Sequence, residues 1–291
     1  MLEIPKSEIE MENEPVVRGG FGYIYKAKWR KEDVAVKMIR AFTEEEKQYV
    51  KCEANLTLRL SHPNVVKLFG ITCVTFVKQT KHGNVTEETL GIVTELAEHG
   101  SLHEWIGKTD HEKLTKISLG IIDGLEYVHS QHVIHRGIKP NNILMCGPKD
   151  DMIPKISGFR VAKVIESTMK THTMVGDFRY MAPEVRMNLR YNFTADIFSL
   201  AMTLFEMFNE QRILDASVEV NRFIRKGGIS NIPESCKVPV YLRNVIERGW
   251  SEMPEERPTL DEYRSALRGK YTLFSRELYL HICGKSWLRL K

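Results

Sequence analysis

The sequence predicts an α+β fold in which a small, sheet-rich lobe precedes a larger helical lobe. Short β-branched runs dominate residues 13–95, and the run at 34–37 is typical of a buried central strand. After residue 101, apolar side chains recur at helical spacing instead. Strands first and helices afterwards favour segregated layers, with a boundary near residues 97–100.

Length and composition exclude several classes of protein. A chain of 291 residues, 42% hydrophobic and 27% charged, suits one large two-lobed domain or two ordinary ones. The net charge of +4 is too small and too evenly spread to indicate a nucleic-acid partner. The five cysteines include no CxxC pair, which predicts reduced thiols in the cytoplasm. The N-terminus lacks the apolar core of a secretory signal, and the apolar stretch 197–208 is shorter than a membrane span.

A glycine-rich turn at residues 18–22 separates two predicted strands. Bare backbone N–H groups in such a turn can approach phosphate oxygens closely, although a plain β-hairpin turn would explain the glycines equally well. Lys37 on the next strand favours the phosphate interpretation, because a lysine at this spacing suits a phosphate site. Gly19, Gly22 and Lys37 are therefore candidate phosphate-binding residues.

The rest of the first lobe is predicted to hold one helix and two strands. A capping-box pattern at 43–46 predicts the start of a helix that extends to about Leu60. Strands are predicted at 71–77 and 90–95. Between them we expect a polar loop with its turn at 82–84, longer than a tight hairpin needs.

Two helices of the second lobe follow from apolar side chains that recur every three or four residues. They are Ile117, Ile121, Leu125 and Val128 in one helix, and Ile197, Leu200, Ala201, Leu204 and Phe208 in the other. The tail, residues 270–291, mixes apolar and basic side chains. We expect it either to pack on the helical lobe or to begin a further domain.

Taken in order, the motifs resemble those of a protein kinase domain over residues 13–269, with the tyrosine-kinase-like (TKL) serine/threonine group nearest in character. Residues 135–142 resemble the kinase catalytic loop, and residues 182–184 resemble the end of the activation segment. The resemblance implies a bilobal kinase fold, with an N-lobe at about 13–96 and a C-lobe at about 97–269. It leaves 270–291 as a C-terminal extension.

The same resemblance implies a nucleotide site. Lys37 matches the phosphate-anchoring lysine and Glu53 the helix glutamate that pairs with it. Ala35 and Leu144 match the roof and floor of the adenine slot, and Thr94 matches the residue that gates its back. The complete candidate set is Gly19, Gly22, Ala35, Lys37, Glu53, Thr94, Glu95, Ala97, Lys139, Asn142 and Leu144, in which Glu95 to Ala97 form the hinge.

Three further residues match structural positions of the family. Asp196 matches the aspartate that anchors the catalytic loop from below. Glu184 is expected to form an ion pair with Arg257.

The sequence departs from the family at the positions that carry the chemistry. Gly137 stands where the catalytic aspartate belongs, Gly158 replaces the metal-binding aspartate, and Arg160 replaces the glycine that should follow Phe159. Loss of a general base costs about 10²–10⁴ in rate, and loss of metal stabilisation costs more. We therefore expect no catalytic residue, no metal site and no enzyme activity, which defines a pseudokinase.

Nucleotide binding is expected to be weak and largely independent of magnesium, or absent. Val17 stands in place of the first glycine of the phosphate lid, and Asn142 is a single neutral ligand for a dication that prefers carboxylates. No cofactor is expected to be required, and ATP without magnesium is the candidate ligand of the slot.

Other substitutions carry hypotheses of their own. Asp177 replaces a threonine, and we expect its carboxylate to pair with Lys139, which Gly137 leaves without a partner. Arg160 either neutralises phosphate, reaches Glu53, or is an ordinary solvated arginine. Phosphorylation of Thr171 or Thr173 would add charge that Arg136 could bind, although the sequence favours the interpretation of both as ordinary loop threonines.

These observations favour a catalytically inactive scaffold or allosteric module in signalling. Its expected partners are other signalling proteins, an active kinase among them, with no nucleic acid and no membrane; the sequence does not define the oligomeric state. The alternative is a divergent active serine/threonine kinase that recruits Asp177, Asp150 or Asp151, and a third reading is a sensor whose pocket holds a ligand other than ATP.

Overall fold

The computed structural model describes residues 3–19, 22–39, 43–80, 83–159, 163–164, 177–210, 232, 234 and 236–269. The chain forms two compact units. The first unit contains Met1–Leu102 and Asn141–Ala162, and the second contains His103–Pro140 and Lys163–Lys291. The fold is a mixture of a curved antiparallel sheet and a helical bundle, which confirms the predicted α+β class.

The strands, in chain order, are β1 (Ile9–Met11), β2 (Val17–Gly19), β3 (Gly22–Trp29), β4 (Glu32–Ile39), β5 (Leu68–Thr80), β6 (Gly83–Glu95), β7 (Val133–Ile134), β8 (Ile143–Cys146), β9 (Ile153–Ile156) and β10 (Lys163–Val164). The helices described are α1 (Glu44–Thr57), α2 (His111–Ser130), α3 (Pro183–Arg186), α4 (Thr194–Asn209), α5 (Val240–Gly249) and α6 (Leu260–Leu267).

The first unit is built on an antiparallel sheet in the order β1-β3-β4-β6-β5, with β2 paired to β3. Alternation along β4 divides its side chains between two faces. Val34, Val36 and Met38 are buried in a core cluster with Trp29, whereas Ile39 belongs to a second cluster. That second cluster includes Val50 and Ala54 of α1 together with residues of β5 and β6.

The connection between β5 and β6 corrects one expectation. Instead of a long polar loop, the two strands pair continuously to the Thr80 and Gly83 positions. Of the turn predicted at 82–84, Gly83 and Asn84 belong to β6, and residue 82 lies outside the described part. Backbone pairing extends the hairpin through polar sequence that has little apolar alternation, which explains why the sequence pattern missed it.

The second unit is a helical bundle with α4 near its centre. Almost every residue of α4 is buried, as expected of a helix that is apolar around its circumference. The apolar stripes predicted for α2 and α4 are all buried, which confirms both helices. Strands β7 and β10 form a short antiparallel pair, and the segment that carries Gly137 and Lys139 follows β7 directly in the chain.

Candidate functional site

The candidate residues divide between the two units. Most of the nucleotide-binding set lies in the first unit, whereas Gly137 and Lys139 lie in the second. No helix among the described residues is long and apolar enough to cross a membrane.

The glycine-rich turn joins β2 to β3. Gly19 pairs with Gly22 in the antiparallel register, and residues 20–21 lie outside the described part. Gly22 has a φ of +136°, and a Cβ there would lie 1.9 Å from the Met38 carbonyl oxygen. This backbone position therefore requires glycine. Val17, in place of the family's first lid glycine, pairs with Ile24, and half of its surface is exposed.

Ala35 and Lys37 lie on β4, on the face opposite the Val34 core, because side chains alternate along a strand. Ala35 pairs with Thr94 of β6. Both Ala35 and Lys37 are half-buried. Glu53 lies on α1, but its side chain is outside the described set, so its expected pairing with Lys37 stays a prediction.

The predicted hinge begins at Glu95, the last residue of β6. Its Oε1 accepts the backbone N–H of Lys67 at 2.6 Å, and its Oε2 lies 2.9 Å from Lys155 Nζ. Lys155 belongs to β9, so this ion pair joins the hinge to the β8–β9 hairpin. Next along the chain, the Ala97 carbonyl accepts the N–H of Gly100 at 3.3 Å.

Leu144 and its neighbours on β8 connect to the hinge by backbone contacts. Leu144 forms an isolated bridge with Ser101. At the end of the strand, the N–H of Gly147 donates to Glu98 Oε2 at 3.1 Å, and His99 Nε2 lies 2.7 Å from the Gly147 carbonyl oxygen. The hinge and the predicted floor of the adenine slot are thereby held together within one unit.

The metal-binding position of the family is remodelled in this unit. Gly158 has a φ of +83°, and a Cβ built on it would lie 2.7 Å from Cγ of Asn142. The Asn142 carboxamide therefore lies against the backbone at the point where an aspartate side chain would begin. Among the residues that the structure describes, no group of three or more His, Cys, Asp or Glu side chains could hold a metal ion. The neutral Asn142 amide is itself a poor ligand for magnesium, a hard cation that prefers carboxylate oxygens.

In the second unit, Asp196 fixes the segment that resembles the catalytic loop. Its buried carboxylate accepts the backbone N–H groups of His135, at 2.8 Å, and of Arg136, at 2.7 Å. His129 Nε2 lies 2.9 Å from the same carboxylate. Burial raises the pKa of the Asp196 carboxyl, but these hydrogen bonds and the nearby imidazoles outweigh burial and lower it. The predicted anchoring role of Asp196 is confirmed.

The expected pairing of Asp177 with Lys139 is also confirmed. Lys139 Nζ lies 3.4 Å from Asp177 Oδ2. The structure adds Arg179, which sequence reasoning missed. Its Nε donates to Oδ1 at 2.7 Å and its Nη2 donates to Oδ2 at 2.6 Å, so one guanidinium holds both carboxylate oxygens. The sequence did contain a signal for this contact, because Arg179 follows the unexpected Asp177 by only two residues.

The end of the predicted activation segment is secured by two carboxylates. Glu184 pairs with Arg257 as expected, with nitrogen–oxygen distances of 2.6 and 2.9 Å. The Tyr180 hydroxyl donates to Glu206 of α4, a contact that sequence reasoning missed. Burial and the Glu206 charge raise the pKa of Tyr180, so the phenol stays protonated.

Several predicted features lie outside the described residues: Arg160, Thr171, Thr173 and the tail 270–291. Asp150 and Asp151, the other acidic groups considered for catalysis, lie in the exposed connection between β8 and β9.

Comparison with known proteins gives a family and named relatives. The Protein kinase domain family matches residues 12–271. The chain is 33% identical over 289 residues to "Serine/threonine-protein kinase VIK" of Arabidopsis thaliana, covering 93% of this chain and 63% of the relative. It is 31% identical over 273 residues to "Mitogen-activated protein kinase kinase kinase 7" of Homo sapiens, covering 89% and 41%. It is 28% identical over 253 residues to "Probable serine/threonine-protein kinase gdt4" of Dictyostelium discoideum, covering 84% and 15%.

The chain thus spans less than two thirds of the length of each of these relatives. The family and the names of its relatives point to an enzyme, which overturns the expectation, drawn from Gly137 and Gly158, that the chain is not one. On the match across residues 12–271 and on the observed α+β fold, the chain belongs to the protein kinase domain family.

Proposed function

We propose that this chain is a divergent serine/threonine protein kinase domain of the TKL group that transfers phosphate from ATP to a protein hydroxyl. It would act in the cytoplasm among other signalling proteins, an active kinase among its candidate partners. The family match and the serine/threonine kinases among its relatives support the reaction class. The substitutions at Gly137 and Gly158 support a turnover far below that of an ordinary kinase.

One observation carries the proposal: the Asp177 carboxylate lies 3.4 Å from Lys139 Nζ. By resemblance to the family, this lysine is the partner of the catalytic aspartate that Gly137 replaces. Asp177 then supplies the carboxylate beside Lys139 from a different point in the chain. It would accept the proton of the acceptor hydroxyl while the new oxygen–phosphorus bond forms and the bond from the γ-phosphorus to ADP breaks.

The nucleotide side of the proposal rests on the first unit. Ala35, Leu144 and the hinge would hold the adenine, and Lys37 would hold the phosphates. The Asn142–Gly158 arrangement does not fit magnesium, so no step of the proposed reaction is assigned to a metal. Binding is expected to be weak, because much of the triphosphate charge would have to be neutralised without a dication.

The rate of phosphate transfer should be low because the proposed base, Asp177, is not at the position of the family's catalytic aspartate. Ordinary kinases turn over at roughly 1–100 s⁻¹, and a poorly placed base costs about 10²–10⁴ of that. The two Arg179 hydrogen bonds to Asp177 also make its carboxylate a weaker proton acceptor. Slow transfer that depends on Asp177 is the signature of this arrangement.

Phosphate transfer from labelled ATP to a mixture of serine- and threonine-containing peptides tests the proposal. The whole chain is compared with Lys37→Ala and Asp177→Asn, each with magnesium and with a chelator. We expect slow transfer that Lys37→Ala abolishes and Asp177→Asn lowers by about 10²-fold or more. As a control, Arg190→Gln removes one exposed charge of the second unit and should transfer at the unsubstituted rate.

Incorporation by the unsubstituted chain that is no higher than by Lys37→Ala would overturn the proposal. Transfer that survives unchanged in Asp177→Asn would exclude Asp177 as the base. A large magnesium-dependent increase in ATP binding would contradict the assignment of a metal-independent nucleotide site.

A further inference from the structure

The Asp177 carboxylate belongs to a local turn that Arg179 closes. The N–H of Arg179 donates to Asp177 Oδ1 at 3.3 Å, and the N–H of Tyr180 donates to the Asp177 carbonyl at 3.0 Å. Together with the two guanidinium bonds, these contacts fix the side chain within residues 177–180. The contacts within the turn all join residues two or three positions apart, as in other turns built around an aspartate.

The contacts of Asp177 are unequal in strength. Arg179 binds both oxygens at hydrogen-bond distances of 2.6 and 2.7 Å, whereas Lys139 lies 3.4 Å from one of them. The Asp177 side chain is 16% exposed, and Arg179 is 27% exposed. A charge-assisted bond of this geometry in a mostly buried setting is stronger than a long ammonium contact. Arg179 therefore determines where the carboxylate lies.

Charged groups on other elements also act on this pair. Lys139, from the segment after β7, contacts Asp177, and Glu206 of α4 acts on the charge of Arg179. The neutral Tyr180 phenol lies in the same turn as the pair and also affects Arg179. Burial raises the pKa of Asp177, and the hydrogen bond from Arg179 and the charge of Lys139 outweigh burial and lower it. The Asp177 carboxyl is thus stabilised in its charged form by Arg179 and Lys139.

We infer that Arg179 is a positioning residue that fixes Asp177 against Lys139 and limits its capacity to take up a proton. This inference rests on the proposed function in one respect, the role of Asp177 as proton acceptor. Its structural content, control of the Asp177 carboxylate by Arg179, is independent of catalysis.

A direct test follows the Asp177 carboxyl by NMR in the whole chain labelled with ¹³C at the aspartate side-chain carboxyls. The Asp177 resonance is identified by its absence in Asp177→Asn. In Arg179→Gln the titration midpoint should rise by about one unit or more, because the strongest contact that stabilises the charged form is gone. Arg179→Lys keeps the charge but not the planar fork, so its midpoint should rise less.

Arg190→Gln is the matched control, since it removes an exposed positive charge of the same unit and should leave the midpoint unchanged. Thermal unfolding of each variant shows whether it is folded, and Arg179→Lys carries the test if Arg179→Gln is not. An unmoved midpoint in both Arg179 variants would refute the inference.

The pH dependence of phosphate transfer provides a second readout. If Arg179 restrains the proton acceptor, the acid limb of the rate profile should move to higher pH in Arg179→Gln, together with the NMR midpoint. A purely structural role would lower the rate at every pH without moving the limb, and that result would contradict the inference. Absence of transfer in the unsubstituted chain would instead refute the proposed function, while the NMR titration would still decide the role of Arg179.

Discussion

Arg257 and Glu184 form a two-pronged ion pair inside the second unit. Nη1 of the arginine donates to Oε1 at 2.6 Å, and Nη2 donates to Oε2 at 2.9 Å. The Arg257 side chain is completely shielded from solvent, and that of Glu184 is 7% exposed. Arg257 also donates to the carbonyl oxygens of Thr194 and Ser251. One guanidinium thereby ties α3 to the start of α4 and to the segment after α5.

Replacing Arg257 by lysine should lower the free energy of unfolding by about 1–3 kcal/mol, although the charge is retained. A single ammonium cannot reach both carboxylate oxygens and two carbonyls, so buried polar atoms lose their partners. Urea unfolding followed by circular dichroism measures the loss. Arg18→Lys is the control, because Arg18 pairs with Glu14 while 67% exposed, and it should change stability by less than about 0.5 kcal/mol. Equal losses in the two variants would contradict the prediction.

Asp196 should make stability depend on pH in the acid range. Its pKa is lowered in the folded protein, so its stabilisation is complete above the unfolded-state pKa of about 3.9 and is lost as pH falls toward the folded value. Asp196→Asn should cost about 3–5 kcal/mol at neutral pH and less below pH 4. In that range the unfolded chain takes up a proton at Asp196 that the folded chain does not, and this reduces the stabilisation that the carboxylate provides. Urea unfolding at pH 7, 5, 4 and 3 measures the difference. If the loss of stability in Asp196→Asn is the same at every pH in this range, the ionised Asp196 carboxylate is not what stabilises the protein.

Gly158→Ala should destabilise the first unit more than Gly147→Ala. Both glycines have a φ of +83°, which strains any side chain, so both variants lose stability by roughly 1 kcal/mol or more. At Gly147 the new Cβ meets nothing closer than 3.9 Å, whereas at Gly158 it lies 2.7 Å from Asn142 Cγ. The difference in melting temperature between the two variants therefore reports the contact with Asn142. Asn142→Ala should remove that difference, and its persistence would show that another contact is responsible.

Tyr263 and Gly249 should show non-additive effects on stability. The buried Tyr263 hydroxyl has no hydrogen-bond partner among the described residues, and a Cβ on Gly249 would lie 1.9 Å from it. Tyr263→Phe should be neutral or stabilising, by up to about 3 kcal/mol, because it removes an unsatisfied buried group. Gly249→Ala should cost about 1–3 kcal/mol by overpacking, and less in the Tyr263→Phe background.

Urea unfolding of the two single variants and the double variant completes this cycle. Part of the Gly249→Ala cost should remain in the double variant, because the new Cβ would still lie 2.6 Å from that of Ala201. Strictly additive costs would show that the Tyr263 hydroxyl and Gly249 do not interact.

Much of the fold could be predicted because its determinants are periodic or local. The apolar spacing of α2 and α4 identified helices whose predicted apolar residues are all buried. Resemblance to a family then assigned pairs that periodicity cannot reach, such as Glu184 with Arg257 across 73 residues of chain. The Asp177–Lys139 contact followed from the resemblance together with charge: the family pattern placed Asp177 near Lys139, and the loss of a carboxylate at Gly137 left that lysine to be neutralised.

The remaining features depend on three-dimensional placement that no spacing encodes. The Asn142 carboxamide lies against Gly158, which follows β9 in the chain. Neither residue type on its own predicts this contact. Arg179 was missed because a side-chain pair two residues apart belongs to a turn and has no repeat to detect. The long β5–β6 hairpin was missed because its outer half is held by backbone pairing.

The β8–β9 hairpin belongs to the first unit although 38 residues of the second, His103–Pro140, precede it in the chain. During synthesis, helix α2 of the second unit is therefore translated before strands β8 and β9 of the first unit. A fragment that stops at Leu102 would lack Lys155, which forms an ion pair with Glu95. It would also lack strand β8, whose Leu144 forms a bridge with Ser101. Expression of the sheet-rich unit alone therefore requires residues 141–162 as well as 1–102, in a gene from which the codons for 103–140 are deleted.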